Sequence, residues 1–403
     1  MSLRGKKPAI LAILCIAYFL SYMDRMVMAT AIPGIAADFG LTPVAMGGVL
    51  SAFFLGYAAM QIPGGMLADR FGPRVTIFGA ILWWSLMTLA TGLAGSLAAM
   101  LVIRCLFGLG EGPFPPAASK TLSSWFDPGE VGRANGLQMA ASAAGAAVAP
   151  VLVSSLTGAI GWRAVFFLLF VPGLAVALCA WLVLPAARPT TSAPARRRER
   201  LALPAPLEAS LRNKNVVRCA LGFLLVNMAN WGLLSWLPTY LLSARHLPVS
   251  LMALFSGISA LAFAAGLAGG GVICDRYFKH RLKRQIIVAV ACCSLLTALA
   301  AYVSANALAV TLVTGAFFFM GVGNAAIFCV PLAVMPPSST GTAFGVINTA
   351  GQISGVVSPL LLGAVVQNTG RFDLGLYVLV LLALIGLLPI SAMKQSADDG
   401  SER

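Results

Sequence analysis

Four charged side chains lie in two stretches of the sequence that are otherwise apolar and long enough to cross a membrane. Asp24 and Arg25 lie in the first such stretch, and Arg104 and Glu111 lie in the fourth. A charge at the centre of a bilayer is costly, so residues of this kind usually face a water-filled cavity or a charged partner. These four residues are therefore the first candidates for a substrate or proton path.

The chemistry of the four residues divides them into two kinds. Arginine keeps its proton and binds a carboxylate through two parallel hydrogen bonds, so Arg25 and Arg104 are suited to hold an anion. Asp24 and Glu111 can instead gain and lose a proton. Arg104 and Glu111 are seven residues apart, which places them on one helical face about 10 Å apart. Each is therefore expected to meet a partner on another helix or the substrate.

The same stretches contain further polar groups. Tyr18, Tyr22 and Arg25 recur at the spacing of one helical face, whereas Asp24 projects about 100° away from Arg25. Other polar side chains in the apolar stretches can complete a cavity, and hydrogen bonding between helices explains any one of them equally well. They are Tyr57, Gln61, Gln138, Ser142, Asn227, Asn230, Trp231, Asn324, Asn348 and Gln352.

The composition predicts an integral membrane protein. Hydrophobic residues make up 59% of the 403-residue chain and charged residues 10%, which leaves too little polar surface to cover a soluble globule. Apolar segments long enough to cross a bilayer occur twelve times. They lie near 8–32, 44–67, 75–95, 97–118, 137–158, 163–184, 216–242, 250–274, 285–304, 308–331, 342–365 and 372–392. We therefore predict an all-α membrane protein with twelve transmembrane helices.

The net charge of +14 is explained by membrane topology and not by nucleic-acid binding. Of the 27 Lys and Arg residues, two lie in the interior of spans, three lie in loops predicted outside, and the other 22 lie in segments predicted inside, among them Arg218 at the inner end of a span. This asymmetry is the positive-inside pattern, and it predicts that both termini are cytoplasmic.

An internal repeat divides the chain into two halves. The segment GMLADR at 65–70 returns as GVICDR at 271–276, and GRANG at 132–136 returns as GTAFG at 341–345. Two six-helix halves in the same orientation are a standard transporter architecture. We predict an N-terminal half at 1–185, a cytoplasmic linker at 186–215 and a C-terminal half at 216–403. The linker, rich in Pro and Arg and with a short helix predicted near 207–211, is either a solvated tether or a contact for anionic lipids.

The repeated loop carries a family resemblance. The segment GMLADRFGPR at 65–74 resembles the signature G-x-L-x-D-R-x-G-x-R of the major facilitator superfamily, and the resemblance extends over essentially the whole chain. Within that superfamily, YMDR at 22–25, the pattern R-x3-G-x2-EG-x-FP at 104–115, SWF at 124–126, RA at 133–134 and WLPTY at 236–240 resemble the anion:cation symporters. That group includes bacterial galactonate and hexuronate carriers, phthalate permeases and the animal sialic acid, phosphate and glutamate carriers.

The resemblance implies roles for individual residues. The family residues matching Asp24 and Glu111 take up protons, and the residue matching Arg25 contacts the substrate. The match to Arg104 belongs to an anion-binding or gating network, and a purely structural ion pair is the alternative for each charge. The predicted substrate-binding residues are Arg25, Arg104, Tyr22, Tyr57, Gln138, Asn227, Trp231, Asn324 and Asn348.

The resemblance also implies a gate at the cytoplasmic mouth. Asp69, Arg70 and Arg74 are expected to pair across the halves in one conformation and to separate in the other, and a simple topology anchor is the alternative. The second copy contributes Asp275 and Arg276 but lacks the Gly and the basic residue at the spacing of the first copy.

The sequence and the resemblance together predict a proton-coupled symporter that imports a small organic anion. A sugar acid such as an aldonate or hexuronate is the first expectation and an aromatic carboxylate the second. We expect a monomer in the bacterial inner membrane. We also expect no metal and no cofactor, because the eight cysteines do not have the spacing of metal ligands. The alternatives are a proton-antiport exporter of drugs or metabolites and a membrane enzyme or sensor. The arginine pair argues against a cationic cargo, and no catalytic constellation is visible.

Overall fold

The structure is a computed structural model that describes residues 6–185, 205–277 and 281–393. Within these ranges the chain forms thirteen α-helices, one π-helical turn and no strand. The helices are α1 (Lys7–Phe39), α2 (Pro43–Phe71), α3 (Pro73–Leu93), α4 (Leu97–Glu111), α5 (Phe114–Trp125), α6 (Pro128–Val183), α7 (Ala205–Arg212), α8 (Lys214–Thr239), α9 (Val249–Tyr277), α10 (Leu282–Tyr302), α11 (Asn306–Val334), α12 (Pro337–Thr369) and α13 (Phe372–Ser391). The π-helical turn, Tyr240–Ala244, continues α8.

The helices account for the predicted spans. Eleven described segments are long and apolar enough to cross a membrane, and one of them, Gly129–Val183, is 55 residues long. This segment holds the fifth and sixth predicted spans, which meet at a kink where Gly161 has φ 78°. The fourth span consists of α4 and α5 together. The predicted all-α membrane fold is therefore confirmed, and the protein is an integral multi-pass membrane protein.

Local sequence signals explain where the helices begin and turn. The side chains of Thr42 and Ser96 accept hydrogen bonds from backbone N–H groups three residues later, at 3.3 and 3.2 Å, which caps α2 and α4. Gly40 and Gly72, with φ of 61° and 80°, provide the turns that follow α1 and α2. At several ends the helices are longer than the predicted spans, because hydropathy marks only the apolar part of a helix. The short helix predicted in the linker is α7, and the rest of that linker at 186–204 lies outside the described residues.

The described helices belong to two compact units. The first comprises the described parts of 1–187 together with 232–261 and 356–375. Its main packing pairs are α1 with α6, α2 with α4, and α3 with α6. The second comprises the described parts of 188–231, 262–355 and 376–403, in which α10 packs on α11.

Glycine pairs bring helices into close contact inside each unit. In the first unit, a Cβ on Gly56 would collide with the backbone of Cys105, and a Cβ on Gly108 would collide with the backbone of Phe53. In the second unit, Gly266 faces the backbone of Phe318 in the same way, and Gly321 faces the backbone of α9. Small residues of this kind let membrane helices approach until their backbones touch. The crossing of α2 with α4 is therefore fixed without intervening side chains.

One end of the first unit is closed by similar contacts. The start of α2 meets the last third of α12, where Gly47 lies against the carbonyl of Pro359 and Gly363 lies against the carbonyl of Pro43. The backbone N–H of Val44 also donates to Gln367 Oε1 at 3.2 Å. We call this set of contacts the α2–α12 contact. It lies at the N-terminal end of α2, whereas Asp69 and Arg70 lie at the C-terminal end.

Candidate functional site

The four charged residues singled out by the sequence all lie in the interior of the first unit. The exposed fractions are 6% for Asp24, 9% for Arg25, 2% for Arg104 and 0% for Glu111. The first two lie in the middle of α1 and the second two on α4. Burial of this kind is expected only where the charges are compensated by partners. The contacts of each charge therefore define what the site can do.

Arg25 and Glu111 form a buried ion pair between α1 and α4. The Arg25 guanidinium donates from Nη2 at 2.8 Å and from Nε at 3.0 Å, both to Glu111 Oε1. The Ser21 hydroxyl, one turn before Arg25, donates to the same oxygen. Removing one member of such a pair leaves an uncompensated buried charge, which is strongly unfavourable. The pair therefore holds as a unit unless a proton or an anion replaces one partner.

Aromatic rings enclose the Arg25 guanidinium. Its central carbon lies 4.8 Å from the ring centre of Tyr22, 4.9 Å from that of Phe53 and 4.5 Å from that of Tyr57. Cation–π contacts at these distances stabilise the buried positive charge. The rings also limit how far the guanidinium can move. Arg25 is thus held in position by three rings from α1 and α2.

The second carboxylate oxygen of Glu111 differs from the first. Glu111 Oε2 is buried and has no hydrogen-bond partner among the described residues. Oε1 already accepts every hydrogen bond that Glu111 receives from Ser21 and Arg25. A proton can therefore bind at Oε2 without breaking an existing hydrogen bond of Glu111.

Helix geometry at Glu111 is unusual. The helix α4 ends at this residue, and α5 begins at Phe114. Prolines at 113, 115 and 116 lack the backbone N–H that would continue the helical hydrogen bonds. Glu111 thus sits where the helix is interrupted.

Arg104 and Asp24 form a second charged group, about two turns from the first along α4. Arg104 Nη2 donates to the Thr91 hydroxyl. Its guanidinium lies 4.7 Å from the ring centre of Phe107 and 5.7 Å from that of Phe166. Asp24 interacts electrostatically with Arg104. Arg104 is therefore enclosed by side chains of α3, α4 and α6, and its charge interacts with that of Asp24 on α1.

The remaining predicted substrate residues are distributed over both units. In the first unit, Gln138 is buried, and its Nε2 has no hydrogen-bond partner in the described part of the chain. In the second unit, Asn227 donates from Nδ2 to the carbonyl of Gly351 at 2.8 Å and accepts from Asn230 at 2.9 Å. The residues Trp231, Asn324 and Asn348 also belong to the second unit, where the first two are buried and Asn348 is half-buried. Within the first unit, the structure brings Tyr22, Arg25 and Tyr57 together.

The predicted gating residues of the first copy lie at the end of α2 and the start of α3, and those of the second copy lie at the end of α9. Asp69 accepts a hydrogen bond from Lys120 Nζ at 2.7 Å, and the same amine donates to the Ala68 carbonyl at 3.0 Å. Arg74 stacks on the Trp181 ring, 4.5 Å from its centre. In the second copy, Arg276 is exposed, and the side chain of Asp275 lies outside the described residues. Arg70 is also exposed.

Several residues of the site were not identified from the sequence. Ser21 precedes Arg25 by four residues, so helical spacing could have identified it as a neighbour on the same face. Phe53 precedes Tyr57 by the same interval, and it gave no signal because an apolar residue in an apolar helix is unremarkable. Lys120 lies at the end of a span, where the sequence marks it only as a positive charge. Its contact with Asp69 required knowledge of how α2 packs on α5.

Comparison of the whole chain with known proteins identifies a matching family model and several relatives. The family model described as Major Facilitator Superfamily matches residues 14–359. The chain is 32% identical to the probable sulfoacetate transporter SauU of Cupriavidus necator, covering 94% of this chain and 92% of that one. It is 31% identical to the hexuronate transporter of Bacillus subtilis, covering 92% and 90%. A further relative is the probable L-galactonate transporter of Escherichia coli, at 29% identity over 96% and 89% of the two chains.

A solved structure shares the fold. A bacterial homologue of the human lysosomal transporter Spinster, described as inward-facing and occupied, superposes with a TM-score of 0.82 at 21% identity. The match covers 96% of each chain. This likeness concerns the arrangement of the helices and carries no information about the cargo.

Proposed function

The chain belongs to the Major Facilitator Superfamily and is a transporter rather than an enzyme, and we propose that it imports a small organic anion together with protons by alternating access. The observation that carries the proposal is the buried pair between Arg25 and Glu111. One member of this pair is a permanent cation that can hold an anion, and the other is a carboxylate that a proton can neutralise. The pair therefore offers a direct link between proton binding and anion binding.

The proposed cargo is a sugar acid such as an aldonate or a hexuronate. The relatives named for hexuronate, L-galactonate and sulfoacetate support an organic anion in general. The amide group of Gln138 and the hydroxyl group of Tyr22 suit a cargo with several hydroxyls. An aromatic carboxylate is the second candidate class, because rings surround Arg25.

The coupling step is a competition for Arg25. While Glu111 is charged, its Oε1 accepts from Nε and Nη2 of the guanidinium and compensates the positive charge. A proton that binds at the unpartnered Oε2 removes the negative charge, and the guanidinium is then free to bind the anion. Because the proton raises the affinity for the anion, the anion must raise the affinity for the proton by the same factor. Substrate and proton therefore load together.

Asp24 and Arg104 form the second coupled pair in this proposal. Arg104 is enclosed by α3, α4 and α6. Its proposed role is therefore to control the charge of Asp24, whereas Arg25 makes the first contact with the cargo. Protonation of Asp24 leaves Arg104 as an uncompensated positive charge inside the unit. That charge makes the electrostatic potential inside the unit more positive, which favours the entry of an anion.

Reconstitution tests the proposal. The cargo is first identified by a thermal-shift screen of the purified protein with aldonates, uronates, sulfoacetate and aromatic acids, since a ligand stabilises the state it binds. In proteoliposomes, Glu111→Gln and Asp24→Asn are each expected to abolish uphill uptake driven by a pH gradient while retaining exchange of labelled for unlabelled anion. The control Glu208→Gln neutralises a half-exposed carboxylate on α7 and is expected to transport normally.

Two results contradict the proposal. Concentrative uptake that persists in both variants shows that neither carboxylate couples transport to protons. Proton movement opposite to the anion shows an antiport exporter instead of a symporter.

We also propose the membrane arrangement. The repeat supports an N-terminal half at 1–185 and a C-terminal half at 216–403 that rock about a central site, with the 186–215 linker between them. The charge asymmetry supports cytoplasmic termini and residence in a bacterial inner membrane. In this orientation the α2–α12 contact closes the outer side, and Asp69, Arg70 and Arg74 gate the inner side. The proposed working unit is a monomer.

A further inference from the structure

A groove of about 470 Å³ opens on the flank of the first unit between α2, α3 and α4. Three residues on its walls, Phe71, Val75 and Trp83, are 52%, 45% and 43% exposed. Gly79 of α3 and Gly110 of α4 also line the groove. Beyond Gly79 there is nothing within 4 Å in the direction a Cβ would take. The groove is thus an apolar channel in which the absence of a side chain at Gly79 leaves open space.

The dimensions of the groove match one leaflet of a membrane. It begins at the turn between α2 and α3, and Val75 and Trp83 are eight residues apart along α3, a distance of about 12 Å. Half of the hydrocarbon core of a bilayer measures about 15 Å. An extended hydrocarbon chain that enters at the turn and runs along α3 therefore reaches Trp83 within a single leaflet.

A positive charge stands at the open end of the groove. The Arg70 guanidinium lies 5.2 Å from the ring centre of Phe71, which lines the groove. Arg70 is exposed and forms no ion pair within the described ranges, whereas the neighbouring Asp69 is paired with Lys120. A guanidinium at this position is suited to a phosphate group through charge-assisted hydrogen bonds. The charge and the apolar wall together match a molecule that has an anionic headgroup and a hydrocarbon chain.

We propose that the groove binds one acyl chain of a phospholipid whose phosphate lies against Arg70. The chain packs along Phe71, Val75 and Trp83. Trp83 donates from Nε1 to the carbonyl of Leu106 at 2.8 Å, which fixes the indole as one wall of the groove. The indole packs directly on Gly110 of α4, and Leu109 and Pro113 line the groove beside it. These residues flank Glu111 in sequence, so the bound chain contacts the back of the helix segment that carries the buried carboxylate.

Two substitutions separate a bound lipid from ordinary lipid contact. Gly79→Leu fills the groove from within, and the open space beyond Gly79 lets leucine enter without displacing the backbone. Gly158→Leu is the matched control, because Gly158 is also an exposed helical glycine with nothing within 4 Å of the position that a Cβ would take. Arg70→Gln removes only the charge at the open end. Thermal unfolding of all three variants establishes that they are folded.

The assay is the quenching of Trp83 fluorescence by phospholipids brominated along the acyl chain, in nanodiscs, with Trp83→Phe defining the Trp83 signal. We expect brominated phosphatidylglycerol to quench wild-type Trp83 at about a fivefold lower mole fraction than brominated diacylglycerol, the preference that one basic side chain near the membrane surface provides. Gly79→Leu is expected to lose most of this quenching, and Arg70→Gln is expected to lose the preference. Gly158→Leu should behave as wild type. Equal quenching by both lipids in the wild type, or unchanged quenching in Gly79→Leu, overturns the proposal.

Discussion

The α2–α12 contact makes a quantitative prediction about a single methyl group. A Cβ placed on Gly47 would lie 2.9 Å from the carbonyl carbon of Pro359 and 3.1 Å from the Cα of Leu360, both backbone atoms that cannot rotate away. Gly47→Ala therefore requires the two helices to separate. Overpacking of this kind costs about 1–3 kcal/mol. Since each 1.4 kcal/mol is a tenfold change, the closed arrangement is expected to lose roughly 5- to 150-fold in relative population.

Pulsed electron paramagnetic resonance measures this shift. Spin labels on Ala37 and Asn368, two exposed residues of the first unit, report the separation between the end of α1 and the end of α12. The wild type is expected to show a short distance, and Gly47→Ala is expected to add a longer component. Anion uptake should slow because the transporter returns less often to the closed arrangement. Gly363→Ala, which meets the carbonyl of Pro43, is expected to act in the same direction.

The control for this experiment is Gly158→Ala, which adds the same methyl group to an exposed helical glycine with open space around it. An unchanged distance distribution in Gly47→Ala, with normal uptake, refutes the reasoning. It would mean that the close approach of α2 and α12 is not a state through which transport must pass.

Three further predictions concern Arg25 and its surroundings. Arg25→Lys keeps the charge but loses the two parallel donors, so uptake at low anion concentration is expected to fall by at least about tenfold, and normal initial rates contradict this. Arg25→Ala leaves the Glu111 charge buried alone and is expected to destabilise the protein by about 3–5 kcal/mol, with Arg25→Ala/Glu111→Leu recovering most of the loss; thermal unfolding in detergent measures both. Tyr57→Leu removes one cation–π contact of the Arg25 guanidinium, which contributes about 1–2 kcal/mol, and is expected to weaken anion binding by roughly tenfold. Tyr57→Phe keeps the ring face and is expected to keep the affinity for the anion. Titration with the identified anion distinguishes these two variants.

Much of the fold was accessible from sequence because the bilayer imposes a simple length rule. Every predicted span falls on helical structure, and the fourth is divided between α4 and α5. The boundaries were less accessible, since hydropathy reports where the chain is apolar and not where its helical hydrogen bonds end. The fifth and sixth spans merge into α6 because Gly161 turns the chain without a loop. The π-helical turn after Thr239 had no signal in the apolar pattern.

The site was accessible in its residue types but not in its pairing. Isolated charges in apolar helices identified Asp24, Arg25, Arg104 and Glu111, and their spacing indicated partners on other helices. Spacing along one helix cannot show which helix lies opposite, so the pairing of Arg25 with Glu111 required the fold. The enclosure of Arg104 likewise depends on how α3, α4 and α6 pack together.

The glycine contact between α2 and α4 has a mechanical consequence. The helix α2 extends about 20 Å from its contact at Gly56 to Pro43, and about 21 Å in the other direction to Arg70. With the further close contact of Gly64 against Pro113, the helix is therefore held in its middle third. A tilt of about 10° around that support carries each end through about 3.5 Å, in opposite directions, while Tyr57 beside the support hardly moves. Opening at one end of α2 is thereby tied to closing at the other, and the ring that faces Arg25 stays in place throughout.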